Sequence, residues 1–159
     1  MPNINRPVFE EGERPEGFRS KRARIGYELG SELIGCSQWE LPPGEAAYPY
    51  HAHYSDEELV IVLSGKPTLR TPEGTRELEE GEVLHFPVGE EGAHQLYNQT
   101  EEPVTFLAIS SSGRPDIIVY PDTDKIGLGE RLAKGGGLRA FFRRGDGIDY
   151  FEGEQPPED

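Results

Sequence analysis

With one cysteine, Cys36, the chain cannot form an internal disulfide, so a packed core must hold it together. Basic residues are scarce: 16 Lys and Arg stand against 30 Asp and Glu, a net charge of −14, and a face able to neutralise phosphates is not expected. That balance predicts no nucleic-acid partner and no anionic membrane surface. No stretch approaches the roughly 18 consecutive apolar residues of a membrane-spanning helix. The opening segment MPNINRPVFEEGERPEGF has no apolar centre and carries acids early, unlike a signal peptide, so the expected location is the cytoplasm. A helix-turn-helix pattern is also missing, which leaves a transcription-factor reading unsupported.

What remains is a chain of short apolar or alternating runs, concentrated between about residue 25 and residue 120, punctuated by Gly, Pro, Asn and acidic turns. Strands are expected within 27–41, 48–53, 58–65, 66–71, 76–80, 82–87, 93–99, 104–110 and 116–122. Such spacing, with turns such as LPPGE, TPEGT and NQTEEP between the runs, is that of an all-β sandwich or barrel. Residues 1–24 read as an N-terminal arm, 25–120 as the barrel, and 121–159 as a C-terminal extension that packs on the barrel or on a partner subunit. A short helical turn is expected only at LGERLA, residues 128–133. In ELVIVLSG both alternating faces are apolar, which predicts burial on both sides and hints at a homodimer.

Beside that hydrophobic run stands PYHAHYSDE, residues 49–57. In an extended chain side chains at i and i+2 share a face, so His51 and His53 converge on one side. The following turn brings Glu58 to the head of the next strand, opposite them. After a second turn, His94 in GAHQLYN can add a third imidazole to the same interior. Buried imidazoles and a carboxylate without partners are costly, whereas a shared cation satisfies all four together. Three His and one carboxylate suit a single divalent ion such as Mn, Fe, Ni, Co or Zn, with open positions for water or substrate. The alternative is a metal-free cluster held by hydrogen bonds.

The two stretches resemble the paired motifs of the cupin superfamily, G-x5-HxH-x3,4-E-x6-G and G-x5-PxG-x2-H-x3-N. Gly44, His51, His53, Glu58 and Gly65 follow the first, and Gly81, Pro87, Gly89, His94 and Asn98 the second. Six residues rather than five separate Gly44 from His51, and four rather than two separate Gly89 from His94; both departures fall in turns. The resemblance implies a double-stranded jelly roll, a cupin β-barrel, with a metal ligated by His51, His53, Glu58 and His94. Several other stretches look like small single-domain bacterial and archaeal cupins, some of which carry provisional labels such as sugar-phosphate isomerase.

Other polar residues have plainer readings. His85, on the strand EVLHF, is a structural histidine unless it faces the cavity, where it would be the candidate catalytic base. Tyr50 and Tyr97 alternate away from the ligands, while Tyr48 flanks them. Arg19, Lys21, Arg22 and Arg24 either hold a substrate phosphate or carboxylate or offset an acidic surface. Cys36 and Trp39 read as core. The function these features imply is a metal-dependent enzyme acting on a small oxygenated metabolite (a sugar, keto acid or diol), isomerase-like, with the metal as Lewis acid. An Fe(II)-dependent dioxygenase and a non-catalytic metal- or sugar-binding barrel are the alternatives. A cavity carrying Arg, Lys or a second carboxylate would favour isomerisation or decarboxylation, and a purely apolar one oxygen chemistry or binding.

Overall fold

The computed structural model describes residues 1–112, 115–130 and 137–155. Twelve strands fall in this order: β1 (Lys21–Ala23), β2 (Ile34–Leu41), β3 (Ala52–His53), β4 (Glu58–Ser64), β5 (Thr68–Thr71), β6 (Gly74–Glu77), β7 (Val83–Phe86), β8 (Gln95–Tyr97), β9 (Val104–Ser111), β10 (Asp116–Tyr120), β11 (Lys125–Gly129) and β12 (Arg139–Arg143). They form a five-stranded sheet β1-β2-β9-β4-β7, a four-stranded sheet β12-β11-β10-β3 and a three-stranded sheet β6-β5-β8. Every named pairing is antiparallel, the arrangement of a jelly roll. No helix among the described residues is long and apolar enough to cross a membrane.

Alternation along β4 and β9 builds the core. Val60 and Val62 turn inward with Val104 and Phe106, where they meet Trp39 and Leu41 of β2, Leu69 of β5, Leu96 of β8 and Leu78 from the loop after β6. Trp39 stacks nearly parallel on Phe106, the centroids 6.3 Å apart. The opposite face of β4 is not covered by the described residues: Leu59 is 40% exposed and Ile61 and Leu63 are half-buried. Within one copy of the chain only the inner face is fully buried among them.

Two local expectations also change. Residues Ile25–Glu28 form a single helical turn, α1, rather than the start of a long strand. That turn is closed by Gly30 at φ 70°, a left-handed conformation that permits the chain to reverse into β2. Further on, Leu128 and Gly129 belong to β11 and Glu130 follows it without helix; the rest of the helical turn expected at 128–133 lies outside the described residues. The strands continue past residue 120, since β11 pairs with β10 along its whole length and β12 pairs with β11.

Candidate metal centre

The site lies where the five-stranded and four-stranded sheets face each other. His51 and His94 oppose each other in an isolated antiparallel bridge, with His94 N–H donating to the His51 carbonyl at 2.8 Å and the reverse bond at 3.2 Å. Two residues on, His53 is fixed in β3 by pairing with Ile118 of β10, and its ring returns to the same side as His51. Glu58 heads β4 between Phe86 of β7 and Ser110 of β9. His94 owes its position to the tight loop after β7. A Cβ on Gly92 would sit 1.8 Å from the Pro87 carbonyl oxygen, so only glycine allows the loop to close this tightly.

His51, His53 and Glu58 bring three candidate ligand atoms within 4.8 Å of one another, and His94 adjoins them through Glu58. His51 Nε2 and His53 Nε2 are 2.9 Å apart, and Glu58 Oε2 lies 3.6 Å from His53 Nε2 and 3.2 Å from His94 Nε2. Each imidazole turns its other nitrogen to an acceptor: His51 Nδ1 to the Pro49 carbonyl at 2.9 Å, His94 Nδ1 to the Gly92 carbonyl at 2.9 Å, and His53 Nδ1 to Asp116 Oδ2. A carbonyl oxygen can only accept, and a carboxylate does the same, so the three protons belong on Nδ1. Three Nε2 lone pairs and a carboxylate then face one another with no donor between them. His94 Nε2 is buried and has no hydrogen-bond partner among the described residues. Left empty, this arrangement is repulsive; a cation satisfies every member, and the residues fit a metal on that ground.

The electrostatics favour the ligand form. Burial is the main cause that pushes the His51 imidazole down to about 3, with His94 and His53 adding to it, so it is neutral at physiological pH. Burial alone would raise the Glu58 carboxyl, but the neighbouring His94 side chain at 3.2 Å, with His53 and His51, outweighs it and holds the group at about 2.

Aromatic rings wall the cluster. Phe86 stacks on His94 with centroids 3.8 Å apart, and Tyr48 meets His51 and His94 edge-on at 4.8 Å and 5.5 Å. Burial pushes the Tyr48 phenol well above its ordinary range, Glu58 adds to the shift and Arg22 opposes it. Above this floor opens a cavity of about 540 Å³, lined by His51, His53, Glu58, Trp39, Tyr48 and Ser110 at depth. Arg22, Arg24, Arg139, Glu32 and Glu130 also line it, so charged groups of both signs face the interior.

Of the residues singled out in the sequence, His51, His53, Glu58 and His94 come together and His85 does not. His85 pairs with Leu59 on the outer side of the sheet, its side chain is 54% exposed, and Glu57 Oε1 is its neighbour at 3.7 Å. It does not line the cavity, which removes the geometric condition for acting as a base there. In the basic cluster, Arg19 pairs with Glu45 at 2.7 Å, Lys21 with Glu40 at 2.9 Å and Arg24 with Glu10 at 3.3 Å. Arg22 instead donates from Nε to Ser37 Oγ at 2.9 Å and lies over the Trp39 ring at 4.8 Å. Cys36 is half-buried, and burial pushes its thiol up, away from nucleophile character.

Asp116 is the functional residue that sequence reasoning missed. Only 1% exposed, it accepts from His53 with one oxygen and from the Ser55 N–H at 3.0 Å with the other. The signal was an acid at the head of the apolar run DIIVY. Its partner stands 63 positions earlier, and no spacing rule links the two. Asp116 also forms a buried group with His53 and Asp56. Because its oxygen engages the Nδ1 proton, it orients an imidazole of the main cluster.

The comparisons agree with this geometry. The family model for the cupin domain matches residues 37–110, the segment that contains all four converging residues. Residues 37–110 therefore form a cupin domain. Among solved structures it is similar to a candidate sugar phosphate isomerase from Acidithiobacillus ferrooxidans, at 25% identity over 92% of this chain and 91% of that one, with a TM-score of 0.79. It is also similar to a cupin-superfamily sugar phosphate isomerase from Silicibacter pomeroyi, at 24% identity over 92% and 94% of the two chains and a TM-score of 0.77. The polyketide cyclase RemF from Streptomyces resistomycificus shares the fold more loosely, at 21% identity over 70% of this chain and 78% of that one, with a TM-score of 0.59. No curated protein matches the chain in sequence.

Proposed function

We propose that the protein is a metal-dependent, isomerase-type enzyme acting on a small oxygenated metabolite, with one divalent ion held by His51, His53, Glu58 and His94. The observation that carries this reading is the cluster of His51, His53 and Glu58 lining a cavity, with His94 Nε2 3.2 Å behind Glu58 and no donor among them. When bound, the ion supplies Lewis acidity toward a substrate carbonyl or hydroxyl oxygen. The chain supplies orientation: Asp116 and the carbonyls of Pro49 and Gly92 hold the Nδ1 protons and so aim the three rings. Phe86, Trp39 and Tyr48 keep the floor apolar around its charges.

The cavity supports isomerase-type chemistry over oxygen chemistry, because Arg22, Arg24 and Arg139 line it together with Glu32 and Glu130. Arginines suit a substrate with a phosphate or carboxylate, and two structural relatives are named as sugar phosphate isomerases. On this reading a small sugar phosphate is the first substrate class to assay. Isomerisation exchanges a carbon-bound proton beside the carbonyl with solvent. Metal-loaded protein should therefore place deuterium at that carbon when a panel of aldose and ketose phosphates is incubated in D2O, and chelated protein should not. Stoichiometric metal with neither exchange nor aldose–ketose interconversion on any member of the panel would leave the binding-barrel reading.

A further inference from the structure

We infer that Tyr48 is a substrate-binding residue, whose hydroxyl donates a hydrogen bond to an anionic oxygen of the ligand bound above His51, His53 and Glu58. This rests on the metal site proposed above and adds to it a donor that none of the four ligand residues can provide. The ring of Tyr48 packs like a core aromatic, edge-on to Trp39 at 5.9 Å and to His51 and His94. A phenylalanine would pack equally well there, so the hydroxyl needs a separate explanation. It is buried and finds no hydrogen-bond partner among the described residues, which costs stability unless something else uses it. Tyr48 lines the same cavity as three of the ligand residues, so the group that can use its O–H is whatever occupies that cavity.

The surroundings select the class of occupant. Arg22 lies on the face of the same Trp39 ring, its Nε donating to Ser37 Oγ, and lines the cavity as well. A phenolic donor and a nearby guanidinium favour an oxyanion over a neutral or cationic ligand. The ligand class is a small molecule with two adjacent oxygens, at least one carrying negative charge, such as a 2-hydroxy acid or the ionised form of a hydroxy ketone.

The test uses the full chain loaded with Co(II) and titrated with acetohydroxamate, a small chelator with two adjacent oxygens, followed by the visible Co(II) band. Tyr48→Phe should keep its Co(II) stoichiometry and melt at the same or a higher temperature, since a buried hydroxyl without a protein partner is removed, while its affinity for acetohydroxamate falls about tenfold or more. Equal affinity in the two proteins, or no acetohydroxamate binding by the wild type, would overturn the assignment of Tyr48 and leave the metal site standing. A wild-type protein that takes up no Co(II) would overturn both. Loss of Co(II) from Tyr48→Phe would also overturn the assignment, because the hydroxyl would then be serving the metal cluster rather than its ligand.

Discussion

Asp116 carries more of the site than its distance in sequence suggests. It pins the only imidazole of the three whose Nδ1 does not rest on a backbone carbonyl, and it does so from a strand of the other sheet. Asp116→Asn keeps the volume and an acceptor but removes the carboxylate that holds the His53 Nδ1 proton. Metal affinity should fall by roughly 10–100-fold, as for other carboxylates behind metal-bound histidines, with little change in fold. Competition against a chelator of known affinity checks this, and an unchanged affinity would reduce Asp116 to a packing residue. The pH dependence of the chelated protein follows from His51 and Glu58. Both are depressed in the fold, His51 from 6.5 to about 3 and Glu58 from 4.5 to about 2, so between those limits the unfolded chain binds more protons. Stability is thus full above 6.5 and is lost as the pH falls toward 3, His51 acting first. The melting temperature of chelated protein should decline across that window, and more shallowly in His51→Gln. Parallel slopes in the two proteins would contradict the burial argument.

At the scale of elements, the strands with the strongest pattern were the most legible. ELVIVLSG and VTFLAIS appear as β4 and β9, and the HxH spacing places two rings on one face as the two-residue period requires. Less legible was anything set by partners far along the chain. His85 alternates correctly within its strand, but which face of β7 meets the core is decided by its pairing with β4. The Ile25–Glu28 turn was hidden because four residues are too few to show a helical period. The apolar outer face of β4 raises a question for the assembly. Leu59 pairs beside Ile109, and Ile61 lies between Val83 and Leu107; Leu59 and Val83 are 40% and 63% exposed. We propose that a second copy of the chain covers this face, since such contiguous apolar surface marks an interface. The protein should sediment as a dimer and Leu59→Glu with Val83→Glu as a monomer. A monomeric wild type would contradict this reading.

For the whole molecule, the sheets and the site depend on each other. The five-stranded sheet supplies Glu58, the four-stranded sheet supplies His53 and Asp116, and the loop after β7 supplies His94, so the cluster ties together parts of the chain that would otherwise meet only through side-chain packing. The architecture was legible early in the spacing of short strand runs and Gly, Pro and Asn turns between about 25 and 120. Substrate identity was not legible there, since the cavity draws its lining from β1, β2, β9, β10, β11 and β12 at once. The most direct measurement of the central claim is the metal content of protein purified without chelators, beside that of His94→Ala. One equivalent of Mn, Fe, Ni, Co or Zn in the wild type, lost in a variant that still folds, is the predicted result. Equal metal-free content in two equally folded proteins would contradict it.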